Sequence, residues 1–413
     1  FIPGHENVGG LGGLNSGTVA SSYAYGDVSG GDSAGGLVGH NGEEGLIEYG
    51  YAMGHVTGNE STGGLAGSNA GAAINCYCTG STTGGGLAGE NSGGIFSSFW
   101  DVEISGVTAS AGGIGATTAE MRMASTFFGW GCDPAWTIDE GNDYPRLLWE
   151  NAPGQLIEGC SFWQGDGTKS DPYLIHTAAE LSAISEVPFA WDKHFRLASD
   201  IDLSASGPYN AIGLSALPFT GTFDGDGHMI SNLSLSRPAT NRVGLFGTMA
   251  DPNAAIRDLG LIDPNVVARS STGALLGYLQ DGTVTNCFVT GGHVSGSVSA
   301  GGLVGYLSRG TVSDCTVVGG SVRGDSSAGG LVQYCGSGTI SDCHATCDVV
   351  GGRAVGGLIA ESRGDIINCS ATGSVVRGTE TAGGLIGHVF RGTVSGCHSS
   401  NQGQLDDVES DSL

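Results

Sequence analysis

Apolar residues in this chain recur on a period far longer than that of a helix or a single strand. The leucine of a Gly-Gly-Leu-apolar-Gly block falls at 275, 303, 331, 358 and 385, in steps of 28, 28, 27 and 27. Earlier it falls at 11, 37, 65 and 87, in steps of 26, 28 and 22, and a looser copy surrounds Leu245. Self-similarity on this scale marks an array of supersecondary units that bury a core only by stacking. In the copy at 301–328, Gly301-Gly302-Leu303-Val304-Gly305-Tyr306 predicts a short strand and Ser308-Arg309-Gly310 a turn. Val312 and Cys315 are both apolar but three apart, off the period of two of a flat strand, so a corner is predicted at Asp314. A third run over 319–324 gives three short strands per turn. Glycine at this density excludes helical repeats and supplies the φ > 0 conformations of the bends. The predicted fold class is all-β: two parallel β-solenoids (β-helices) of ~27–28-residue turns in tandem, with short helical or aromatic caps.

Two internal ladders follow from the register. Asn15, Asn41, Asn69 and Asn91 each lie four residues after a motif leucine. Stacked turns place such amides about 4.8 Å apart, where each can bond the next. In the later turns that site holds Leu279, Leu307, Cys335, Ser362 and Val389. The second ladder is Cys287, Cys315, Cys343, Cys369 and Cys397, 11 or 12 residues after the leucines, with Cys76 in the same place in an early turn. Small apolar side chains buried in a stack explain it, and the thiols are expected mostly free. Cys132 and Cys160, in irregular segments, are the expected disulfide. No cysteine spacing suits zinc.

The pattern divides the chain. Residues 1–98 form the first solenoid. Residues 99–150 are aromatic-rich and read as a closing cap, with a capping box at Thr117 and Glu120 opening a short helix. Residues 151–240 read as a linker and opening cap, whose helix starts at a second box, Thr177 and Glu180, and buries Leu181, Ile184 and Val187. Residues 241–400 form the second solenoid and 401–413 an acidic tail. A solenoid's last turn exposes core and strand edges, which is why a lid is expected.

Composition narrows the partners. Lys+Arg number 15 against 41 Asp+Glu in 413 residues, a net charge of -26. Such a chain repels phosphate, which argues against nucleic acid and anionic membrane and for a saline medium or bound divalent cations. No apolar run reaches the roughly 18 residues needed to span a bilayer, so membrane insertion is not expected. The sequence opens at Phe1, which points to processing or truncation upstream.

The Gly-Gly-Leu-Val-Gly repeats resemble the GLUG motif over nearly the whole chain. Phe99-Trp100-Asp101 with Asp143-Tyr144-Pro145-Arg146-Leu147 is similar to the closing segment of such proteins, and Gly165-Asp166-Gly167-Thr168 through Ile175, with Phe223-Asp224-Gly225-Asp226-Gly227-His228, to their opening segment. The resemblance implies a large secreted or surface-attached protein of β-solenoid type. It supplies no catalytic residues.

Three constellations are candidates for chemistry. Asn286, Asp314, Asp342 and Asn368 each precede a ladder cysteine; Asp314 and Asp342, about 5 Å apart, could cleave glycosides or hold calcium, although Asn and Asp also favour such corners. Asp224-Gly225-Asp226-Gly227 begins like a calcium loop but has Leu235 where the loop's glutamate belongs. Arg309, Arg363 and Arg391 recur at one turn and could bind acidic glycans or another chain. The ten histidines have no repeated partner, and no catalytic set is picked out. The chain is therefore expected to be a non-enzymatic extracellular or cell-surface structural protein without cofactors. It is expected to form head-to-tail filaments or an adhesive layer through Gly9, Gly10 and Leu11 at one end and Leu385 and Leu413 at the other. The alternative is a carbohydrate-binding or polysaccharide-cleaving β-helix.

Overall fold

The computed structural model describes residues 2–3, 6–127, 129–132, 135–158, 162–206, 209–373, 375–401 and 403–405. They form two compact units, Phe1–Phe162 with Glu186–Phe189 and Leu214–Leu217, and Trp163–Ser185 with Ala190–Gly213 and Pro218–Leu413. Both are parallel β-solenoids. Among the described residues, unit 2 has sheets of 13, 8 and 11 strands and the solenoid of unit 1 five sheets of 3–5.

The turns at 12–35, 38–63 and from 304 to 383 carry five short strands each, where three were expected. In the turn at 304–329 they are Val304–Leu307, Thr311–Ser313, Thr316–Val318, Ser321–Gly324 and Ser327–Gly329. The corner expected at Asp314 is present, and left-handed residues make it in each of these turns. Asn286, Asp314, Asp342 and Asn368 have φ of 52–54°. Asn and Asp tolerate that region because their short side chains bond locally. The corner turns the following cysteine inward, so Val312 and Cys315 are both buried.

Glycine takes the expected left-handed conformation at bends such as Gly319 and Gly320, with φ of 65° and 69°, but the glycines of the repeated block do a different job. None of Gly301, Gly302 and Gly305 has positive φ. A Cβ on Gly302 would stand 2.1 Å from the carbonyl oxygen of Gly330, and one on Gly330 would stand 2.0 Å from that of Gly357. Glycine is required there because successive turns approach too closely for any side chain. The leucine after it then points into the core: Leu303, Leu331 and Leu358 are fully buried.

Stacking in unit 2 begins before the expected start at 241. Tyr173 pairs with Phe195, Phe195 with Phe223, and Phe223 with Ile256, all in parallel. These strands lack the glycine block, but Ile175, Phe195, Leu197 and Phe223 supply the inward apolar residues. The helix Ala178–Glu186 spans the first turn. Its box is present: the Glu180 amide donates to Thr177 Oγ1 at 3.2 Å and the Thr177 amide to Glu180 Oε2 at 3.1 Å. Leu181, Ile184 and Val187 are buried. The same exchange at Thr117 and Glu120 opens a 3₁₀ turn, Glu120–Arg122, and not an α-helix.

Asp224 knits these early turns together. Burial opposes its ionisation, but the Arg257 guanidinium at 2.7 Å, the Asp226 amide at 3.0 Å and Arg196 at 3.6 Å outweigh that and hold its carboxyl below the usual range. A depressed folded-state pKa gives stability that is present above the unfolded value and lost as pH falls through the folded one. Asp224→Asn should therefore cost about 1–2 kcal/mol at neutral pH, and the difference from the parent should vanish in acid. Urea titrations across pH check this; a pH-independent difference would count against it.

The aromatic segment after residue 98 closes the last turn of unit 1 only in part. Ile114–Ala116 adds a strand beside Phe99–Asp101. Beyond that strand the chain runs along the side of the solenoid, over a column of tyrosines. Tyr77 donates to the Pro145 carbonyl at 2.6 Å and Tyr51 to Glu150 Oε2 at 2.9 Å. Trp149 Nε1 donates to the Ser21 carbonyl at 3.0 Å, in the first turn. Met121, Phe127, Trp130, Trp136 and Leu147 are buried under this clasp. Its aromatic richness reflects a lateral core, a role the expected end lid does not describe.

Candidate functional site

The candidate side chains fall into columns, because every register position repeats at the next turn. The asparagine column is continuous. Asn15 Nδ2 donates to Asn41 Oδ1 at 2.8 Å, Asn41 to Asn69 at 2.7 Å and Asn69 to Asn91 at 2.8 Å. Each of the first three amides also bonds a backbone carbonyl across the turn, such as Leu46, Ala72 and Gly94. Buried amides are stable only when their bonding is met in this way. In unit 2 the same role passes to packing: Leu279, Leu307 and Cys335 are buried in register, followed by Ser362.

The thiol column is equally regular. Cys287, Cys315, Cys343 and Cys369 are buried, and Cys397 is half-buried; all are free thiols, as is Cys76. Each Sγ donates to the carbonyl two residues earlier, at 3.1–3.3 Å in unit 2. The Cys315 amide in turn reaches Cys343 Sγ at 3.4 Å, and the Cys369 amide reaches Cys397 Sγ at 3.3 Å. Burial pushes the Cys76 thiol up to about 12. Thiolate is the reactive form, so these groups are inert while the stack holds. Brief alkylation of the native protein should label Cys397 before any other ladder cysteine, as mass mapping can show. Fast labelling of Cys315 would mean that the stack opens. Cys132 is disulfide-bonded; its expected partner, Cys160, lies outside the described residues.

The ligand candidates do not converge. Asp314 and Asp342 are exposed at the corner. Their column mates are paired by amide-to-carboxylate bonds, Asn286 to Asp258 at 2.6 Å and Asn368 to Asp342 at 3.2 Å. Among the described residues, no three His, Cys, Asp or Glu side chains form a cluster fit for a metal ion. Asp226 has φ of 49° and its amide closes a turn onto Asp224 Oδ1, so the calcium-like segment is a turn. Arg309 stands 3.6 Å from Asp281, and Arg363 is taken up by rings, with its guanidinium 5.9 Å from the Tyr334 ring centre and 5.0 Å from that of Phe390.

Two kinds of column are not evident from the sequence pattern. Histidines do have a repeated partner, a hydroxyl one turn on: His55 with Ser81 at 2.6 Å, His194 with Thr222 at 2.6 Å, His293 with Ser321 at 2.8 Å and His344 with Ser370 at 2.7 Å. His40 and Ser68 make the same pair in a cleft of about 470 Å³ beside Glu90 and Asn91. Recurrence at five places identifies a stacking device and not a nucleophile with its base. The other kind is aromatic. In unit 1, Trp149, Tyr23, Tyr51, Tyr77 and Tyr144 stack in order, 4.9–6.2 Å apart and within 22° of parallel. In unit 2, Tyr278, Tyr306 and Tyr334 stack at 5.1 and 4.7 Å, with Arg242 over the first ring at 4.7 Å. For the unit 2 column a signal was available, since these tyrosines are 28 residues apart, three after each motif leucine.

At the expected assembly faces, Leu11 is 52% exposed and Gly10 and Leu385 are half-buried, while Gly9 is buried. Leu413 lies outside the described residues.

A parallel solenoid whose side chains stack turn on turn, and whose glycines serve close approach, is a β-solenoid repeat protein. Residues 351–376 match the family model described as the GLUG motif, so the chain carries that motif. It is 38% identical over 141 residues to Halomucin of Haloquadratum walsbyi, an alignment covering 33% of this chain and 2% of that protein. It is 37% identical over 123 residues to a protein of Evansella cellulosilytica provisionally named a Gly-rich membrane protein, covering 29% of this chain and 14% of that one. The chain thus spans a small part of the length of these relatives. The crystal structure of a Bacteroides ovatus protein provisionally named an immunoglobulin A1 protease aligns with a TM-score of 0.49 and 27% identity, over 56% of this chain and 76% of that one. Among the described residues no helix is long and apolar enough to cross a membrane.

Proposed function

We propose that this chain is a non-enzymatic structural segment of a cell-surface protein, and that it assembles by end-to-end stacking of GLUG solenoids. The observation that supports the reading is that every turn is completed by another turn of the same kind. Ile366 is fully buried where the turn that carries Val394 stacks on it. Leu37 is likewise fully buried where the turns that carry Leu11 and Leu65 stack on either side of it. The complement of each face is another turn of the same kind, with its own unpaired strand edges. A contact that joins two different faces does not close on itself and propagates. Surface placement draws support from the relatives, and from a net charge of -26 that suits a saline exterior. Electron micrographs of the purified chain should show filaments one solenoid wide, and deletion of 401–413 should alter their formation. A chain that stays strictly monomeric at high concentration would end the assembly reading while leaving the solenoid itself intact.

A further inference from the structure

We infer that the Tyr278–Tyr306–Tyr334 column is a site of oxidative cross-linking, at which successive turns become covalently joined as dityrosine. The three rings belong to paired strands, with Tyr278 in register with Tyr306 and Tyr306 with Tyr334. Ring centres lie 5.1 Å apart for the first pair and 4.7 Å for the second, with interplanar angles of 43° and 23°. All three are half-buried, so the phenol edges meet solvent while the faces meet each other.

Three conditions govern this coupling, and the column meets each of them. The phenols must be reachable by an oxidant, which half-exposure provides. Two phenoxyl radicals must meet before either is quenched, and the register holds the rings in van der Waals contact. The rings must also tilt from stacked to edge-joined, which partly exposed side chains can do on fast timescales. The Tyr51–Tyr77 pair of unit 1 supplies the internal contrast. Tyr51 and Tyr77 are 5.0 Å apart at 6° but fully buried, with their hydroxyls bonded to Glu150 and Pro145 beneath the clasp. They have the proximity without the access.

The chemistry balances with a peroxide as the oxidant and a heme peroxidase as its catalyst. Each phenol gives up one electron and its hydroxyl proton. The two radicals join through a carbon–carbon bond between their ortho positions, and the two ortho hydrogens move to the phenol oxygens as the rings regain aromaticity. One hydrogen peroxide takes up the two electrons and two protons and becomes two waters. The product ties residue 306 to residue 278 or 334, closing a loop of one solenoid turn.

The test is treatment of the full chain with horseradish peroxidase and hydrogen peroxide, followed by thiol alkylation and trypsin. Cleavage after Arg269, Arg309, Arg323 and Arg353 places Tyr278 and Tyr306 in one peptide, 270–309, and Tyr334 in another, 324–353. The expected product is 270–309 joined to 324–353, lighter by two hydrogens than the sum, or 270–309 with an internal link. Tyr306→Phe keeps the ring stack and should abolish both links and lower the dityrosine fluorescence. Tyr25→Phe, which removes an exposed phenol in unit 1, should leave them unchanged. Links found at Tyr25 alone, links confined to separate chains, or fluorescence unaffected by Tyr306→Phe would each overturn the inference. Oxidation in denaturant should spread the links over other tyrosines; the same 306–334 product from unfolded chain would show that the column does not direct it.

Discussion

Replacing Leu331 by Asp should destabilise unit 2 more than any other single change in its leucine column. Leu331 is fully buried between Leu303 and Leu358, which are buried as well. Around an aspartate at that position the leucine column offers no cation and no hydrogen-bond donor. Leaving a charge buried and uncompensated costs about 3–5 kcal/mol, unless the carboxyl protonates and gives up part of that instead. A solenoid transmits the damage in a particular way. Each turn contacts only its neighbours, so stability is close to a sum of turn and interface terms. The lesion therefore removes two interfaces, to the turns before and after, and uncouples the two halves of the stack. The urea transition of unit 2 should shift to lower denaturant, and amide exchange should speed up first around 303–358. The comparison is Leu385→Asp in the last leucine-bearing turn, where the residue is already half-buried. Its carboxylate can reach water, so the loss should be much smaller. Equal losses at 331 and 385 would mean that the column is not the core.

The contrast between these two positions shows what a repeat makes legible. Leucines, asparagines and cysteines that return every 22–28 residues name their own neighbours, because stacking turns a sequence interval into a contact. The Asn15 to Asn91 chain of amides and the inward thiols could be placed in this way. What lacked identical partners was hidden. His293 and Ser321 are also one turn apart, but a pair of unlike residues leaves no self-similarity to find. The strands at 173–224 stack without the glycine block, since Phe195 and Phe223 fill their turns from the inside. The clasp has no period at all: Trp149 meets Ser21 across 128 residues, and only the folded chain shows that contact. Glycine was legible only in part: the bends at Gly319 and Gly320 use it as expected. At Gly302 and Gly330 the backbone is ordinary and the constraint is a carbonyl of the next turn, which abundance alone does not reveal.

The second large effect is expected at Asn41, where one atom decides the outcome. Asn41 is fully buried, and its Nδ2 faces three acceptors: Asn69 Oδ1 at 2.7 Å, the Gly45 carbonyl at 3.0 Å and the Ala72 carbonyl at 3.1 Å. Its Oδ1 accepts from Asn15. Asn41→Asp has nearly the same shape, so it opens no cavity, but it puts a second acceptor where the donor stood. The carboxylate keeps the Asn15 bond and confronts three oxygens with no hydrogen to share. The loss should be about 3–5 kcal/mol, the scale of an uncompensated buried charge, because protonation restores at most one donor. Asn91→Asp makes the same chemical change at the far end of the ladder. There the side-chain oxygen accepts from Asn69 Nδ2 at 2.8 Å, and an aspartate accepts equally well. That position is only half-buried, so the new charge also reaches solvent. Its cost should stay within about 1 kcal/mol. Thermal melts of the two variants should therefore separate widely although the substitutions are identical. Matching melting temperatures would show that the amides stand side by side without acting as a hydrogen-bonded chain.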